Sequence, residues 1–90
     1  MSIKVHLYSS LQSYTGGQNV VEVNGDTVGN CLGDLTGKYP GIKKILFDEQ
    51  GNLSDQIFVS INLESAYRAK SDEPVKDGDT LYIVLVIAGG

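Results

Sequence analysis

Ninety residues with a net charge of −4 and a single cysteine exclude several classes of protein at once. The basic residues are scattered, adjacent only at Lys43 and Lys44, so the chain lacks the basic stripe that nucleic-acid phosphates require. Cys31 alone makes no internal disulfide framework and no cysteine-ligated zinc or iron–sulfur site, and a chain of this size buries roughly 60–65% of its unfolded surface around one modest core.

The start, MSIKVHLYSS, has no basic segment followed by a long apolar run, so no secretory leader is expected and the cytoplasm is the expected compartment. Residues 3–8 (IKVHLY) alternate, with Ile3, Val5 and Leu7 on one face, and read as a strand. A turn-rich stretch over 9–17 leads to a second strand over 18–23 (QNVVEV), which predicts an antiparallel hairpin with a long connection. NGDT breaks that strand and offers Asp26 or Thr27 as a helix N-cap.

Val28, Leu32, Leu35 and Tyr39 recur at helical spacing, and Pro40-Gly41 ends the helix. Residues 42–47 (IKKILF) predict a short helical turn, 48–56 a loop, and 57–62 (IFVSIN) a third strand. Residues 63–75 read as irregular with room for a short edge strand. KDGD then turns the chain into TLYIVLVI over 80–87. That last strand is apolar on both alternating faces, which predicts the most buried strand, in the middle of the sheet. Its apolar run is far too short for a membrane-spanning helix, so no membrane partner is expected. If the last strand lies beside the first, their connection makes the pair parallel and carries the helix across one face. The fold class is then α+β: a β-grasp with a mixed sheet of four to five strands packed on one main helix. GDT occurs twice, before a helix at Gly25 and before a strand at Gly78, and reads as shared turn chemistry, not as a repeat.

The sequence finishes in IAGG. Gly89 and Gly90 add nothing to a core, and a terminus is usually frayed. The alternative is a working end whose chemical asset is the Gly90 carboxylate. Glycines lack Cβ, so they thread a narrow channel and adopt backbone angles closed to other residues. Four extended residues reach at most about 13–14 Å. The last strand alone leaves both readings open.

The blocks LYSSLQSYTGGQNVVEV, GDTVGNCLGDLTGKYPGIKKILFD, FVSIN and VKDGDTLYIVLVIAGG together resemble the MoaD/ThiS family of ubiquitin-like sulfur-carrier proteins, nearly end to end. TGGQ, the helix block and the AGG end are most similar to the CysO-type branch that serves cysteine synthesis. The resemblance implies one ubiquitin-like domain over 1–90 with a flexible tail over 87–90, acting as a carrier and not as an enzyme. It implies that an E1-like enzyme adenylates the Gly90 carboxylate with ATP, that this chain binds no cofactor, and that Ile87, Ala88 and Gly89 thread the partner's active site. A sulfide or sulfurtransferase donor then gives a thiocarboxylate. An acceptor synthase consumes it, either a pyridoxal-phosphate sulfhydrylase type or the large molybdopterin-synthase subunit. A thiazole-forming carrier, a ubiquitin-like modifier joined to lysines, and a bare interaction module are the competing roles. Many relatives have proline where Leu85 stands; Leu85 keeps an amide donor and allows strand pairing to run closer to the tail.

On the last strand Tyr82, Val84 and Val86 share one face and Leu81, Ile83 and Leu85 the other. One set should pack on the helix; Tyr82, Val84 and Val86 are the expected docking patch. Cys31 flanks the helical stripe and reads as a half-buried small hydrophobe in preference to a sulfur relay. His6 stands opposite the Ile3/Val5/Leu7 face without neighbours at a metal-ligand spacing, so no metal site is expected. Gly29, Gly33 and Gly37 read as tolerated weak helix formers at roughly 0.8–1 kcal/mol each, with close backbone approach as the alternative. TGGQ lacks the following lysine and helix of a phosphate loop.

Overall fold

Residues 2–62 and 69–85 are described by a computed structural model. Strand β1 (Ser2–Leu7) pairs antiparallel with β2 (Val20–Asn24), and β3 (Ile57–Ile61) pairs antiparallel with β4 (Thr80–Leu85). β1 and β4 lie side by side and parallel, from Lys4 opposite Thr80 to Leu7 opposite Ile83. The order is therefore β2-β1-β4-β3, with the last strand central as its apolar sequence predicts. Helix α2 (Val28–Lys38) follows β2 and places Val28, Cys31, Leu32 and Leu35 against the sheet. From the sheet, Ile3, Val5, Leu7, Val21, Val23, Ile57, Val59, Leu81 and Ile83 add to the buried layer. No helix among the described residues is long and apolar enough to cross a membrane.

Several elements are finer than the sequence alone indicates. The turn-rich stretch after β1 holds one helical turn, α1 (Ser9–Gln12), and a 3-10 turn over Ser13–Thr15. Leu11, fully buried, anchors it. A second 3-10 turn (Pro40–Ile42) runs into α3 (Lys43–Leu46), with Ile42 and Leu46 in the core. Of the expected edge strand over 63–75, residues 63–68 lie outside the described residues. In the remainder, Ala69 N–H donates to the Val59 carbonyl and Pro74 bridges Thr27.

The start of α2 is fixed from both sides. Thr27 is the N-cap, its side chain accepting from Asn30 N–H at 3.1 Å. Asp26 accepts instead from the Asn30 side chain at 2.7 Å. The next orphan donors go to the returning chain: Val28 N–H to the Glu73 carbonyl (2.9 Å) and Gly29 N–H to the Ser71 carbonyl (2.7 Å). A Cβ at Gly29 would lie 3.0 Å from that same oxygen. Close backbone approach, not mere tolerance, therefore accounts for Gly29. At Gly33 and Gly37 a Cβ would meet nothing, and the weak-helix account stands. Gly25 is tighter still, its Cβ position only 2.7 Å from the Cys31 amide nitrogen. Thr27→Ala is expected to cost about 1 kcal/mol, read as a lower urea midpoint at unchanged slope.

Candidate functional site

β4 reaches the tail from the centre of the sheet. Its inward residues Leu81 and Ile83 are fully buried, while Tyr82 and Val84 on the outer face are half-buried. One face of β4 is thus core and the other only half-buried. Leu85 is half-buried against the core and pairs with Ile57, so β4 stays in register through Leu85. Val86 of the expected docking patch, and Ile87, Ala88, Gly89 and Gly90 of the tail, lie outside the described residues.

The outer face around Tyr82 is aromatic. Tyr82 is directly opposite His6 on one side and Ser60 on the other. The His6 ring stacks on Tyr8 (centroids 5.4 Å apart, planes 16° apart) and tilts against Tyr82 at 5.2 Å. Val84 faces Phe58, which is half-buried. Tyr8 and Val20 remain 41% and 44% exposed. These side chains form an apolar surface with a polar tip at each tyrosine, suited to a protein partner. Sequence reasoning placed Tyr82 and Val84 on one face but missed His6, Tyr8 and Phe58. Alternation puts each on its strand's outer side; only the pairing register brings the three strands' rows together.

Chemistry within the described fold is sparse. Cys31 is fully buried in the core, not half-buried at its margin. Burial pushes its thiol pKa up, and the Asp26 and Asp34 carboxylates add to that. A protonated, enclosed thiol is a poor nucleophile. No group of residues among those described has the make-up of a metal site. TGGQ is a structural turn: the Thr15 hydroxyl, fully buried, lies 2.8 Å from the Gln18 carbonyl and 3.1 Å from that of Gln12. Gly16 and Gly17 follow at φ of +64° and +86°, which glycine adopts without strain.

One carboxylate holds the turn that launches β4. Asp79 accepts from Lys76 N–H (2.8 Å) and from the Asn62 side chain (2.9 Å), while Asn62 Oδ1 accepts from Thr80 N–H. The Lys76 hydrogen bond first, then that from Asn62, lowers the Asp79 pKa. A depressed carboxylate stabilises the fold above its unfolded pKa of about 3.9, and that contribution disappears as pH falls through the folded value. Asp79→Asn should thus melt below wild type at neutral pH, and the two melting temperatures should converge as pH falls below about 4.

A mixed sheet with parallel first and last strands at its centre, wrapped on one long helix, is the β-grasp fold of ubiquitin-like proteins. The ThiS family profile matches residues 5–90. The sulfur carrier protein CysO of Mycobacterium tuberculosis is 32% identical over 93 residues, with all of both chains covered. Small archaeal modifier protein 1 of Haloferax volcanii is 35% identical over 86 residues, covering 93% of this chain and 95% of that one. Its crystal structure superposes with a TM-score of 0.87, at 31% identity over the whole of both chains. A chain in the crystal structure of the Amycolatopsis orientalis BexX/CysO complex superposes with a TM-score of 0.84, at 36% identity over 98% of this chain and 99% of that one. The chain belongs to the ThiS family of ubiquitin-like sulfur carriers.

Proposed function

We propose that this chain carries sulfur as a C-terminal thiocarboxylate at Gly90, for cysteine or homocysteine-type synthesis. The observation that carries the reading is the extent of the family match, which runs through Gly89 and Gly90, together with whole-length similarity to a protein named as a sulfur carrier. In the first step a Gly90 carboxylate oxygen attacks ATP at the α-phosphorus, forming an acyl-adenylate and releasing pyrophosphate. Hydrosulfide, free or delivered by a donor, then attacks the acyl carbon and expels AMP. The activating partner binds the ATP; this chain supplies the carboxylate, the reach and the docking surface. Tyr82, Val84 and Val86, extended by His6 and Tyr8, are the surface on which that partner and the acceptor synthase sit. The buried Cys31 takes no part. The acceptor is a pyridoxal-phosphate enzyme; in the BexX/CysO structure a CysO is assembled with another protein.

A second reading rests on the archaeal relative named as a modifier. In it the same adenylate is attacked by a lysine amine, giving an isopeptide. Intact-mass analysis separates the two after incubation with ATP, sulfide and host extract. The increment for sulfur replacing oxygen, mapped to Gly90, is the expected result. Unchanged free carboxylate throughout would overturn the carrier reading, and adducts that survive thiol reductant would put the modifier first.

A further inference from the structure

The sheet has two edges. On the β3 side, Ala69 N–H already donates to the Val59 carbonyl at 2.7 Å. On the other side, among the described residues, β2 is the outermost strand over its five residues. The Leu7 N–H donates to the Asn19 carbonyl at 2.8 Å, which fixes the alternation of the antiparallel ladder. Residues 19, 21 and 23 therefore bond to β1, and the N–H and C=O groups of Val20, Glu22 and Asn24 point away from the sheet. Such a row is a template for strand addition.

Helix α2 reaches over and occupies it. Lys38 Nζ donates to the Glu22 carbonyl at 2.6 Å, and Asp34 Oδ2 accepts from Asn24 N–H at 2.9 Å. The two side chains are one helical turn apart, and their charged atoms lie 3.7 Å from each other. Both hydrogen bonds are charge-assisted, the stronger kind. Neither side chain is needed to fill the core, since each is more than a third exposed.

We infer that the free edge of β2 is a strand-docking surface for a second copy of this chain, held shut by Asp34 and Lys38. β2 alternates exposed and buried residues, so an antiparallel copy of itself extends the sheet without placing polar residues on the core face. A two-fold axis at Val21 sets Val21 beside Val21 and the exposed Val20 opposite Glu22. An axis at Glu22 would set like charges face to face, which is destabilising. The favoured register uses the Glu22 carbonyl, the group that Lys38 holds. Guard and partner strand therefore compete for one oxygen.

Sedimentation equilibrium of the full chain tests this. Wild type should sediment at the monomer mass. Asp34→Ala/Lys38→Ala should shift toward twice that mass as concentration rises. Adding Val20→Pro, which removes an outward donor but none of the β1 ladder, should return it to monomer. A folded double variant that stays monomeric overturns the inference. So does a dimer that survives Val20→Pro, or a wild type that already dimerises to the same extent. If the double variant fails to fold, Lys38→Met keeps the side-chain stem, removes only Nζ, and is read the same way.

Discussion

Deleting Gly90 should abolish thiocarboxylate formation while leaving the thermal melt unchanged. The truncated chain would still end in a glycine carboxylate, that of Gly89, so the reacting group is chemically the same. What changes is reach, by roughly 3.3–3.6 Å for one extended residue. An activated carboxylate must sit within bonding distance of the attacking atom, and even about 1 Å of misplacement can cost on the order of a hundredfold in rate. Among the described residues the buried layer runs from Ile3 to Ile83, and removing one residue at a chain end ordinarily costs little stability, so the melt should not move. The readout is intact mass after incubation with ATP, sulfide and host extract, alongside a melting curve. Sulfur still loaded on the shortened chain would overturn Gly90 as the attachment point. Gly90→Ala is the graded companion: it keeps the reach, adds one Cβ in the partner's channel, and should lower loading without erasing it.

That experiment addresses the residues on which reading the sequence and reading the fold differ most in power. The strand order was legible because TLYIVLVI is apolar throughout and a parallel first-and-last pair leaves it one place, the centre of the sheet. The alternation in IKVHLY likewise put Ile3, Val5 and Leu7 on the core side. Features that depend on a distant segment were not legible. Gly29 is crowded because Ser71, more than forty residues later, lays a carbonyl against it. Cys31 looked marginal on a helical wheel, yet it is fully buried, and Gly25 packs back on it where β2 turns into α2. His6 became part of a surface only when register set it beside Tyr82. Local periodicity reports which face a residue occupies; it carries no information on what another strand or loop brings there.

The two faces of β4 should separate folding from docking. Ile83 is fully buried, opposite Leu7 on one side and Val59 on the other, at the middle of the sheet. Ile83→Ala removes methyl groups where strands on both sides leave little room to collapse, a loss of about 2–5 kcal/mol. A domain of this size has roughly 0.05–0.15 kcal/mol of stability per residue, so that loss is a large share of the total. With a urea slope of about 1–1.5 kcal/mol per molar, the midpoint should fall by at least about 1.3 M. Val84 is one residue along but on the outer face, half-buried beside Phe58. Val84→Ala should cost about 1 kcal/mol or less, because the side chain is already partly in water. Its larger effect should be on binding to the activating partner, measured by titration of the folded variant. Equal destabilisation by the two substitutions would mean that the outer face is core, and would leave the docking surface without its centre. A Val84 variant that folds well and binds partner as tightly as wild type would move docking elsewhere, while a stable, weakly binding one ties the sheet's outer face to the tail it presents.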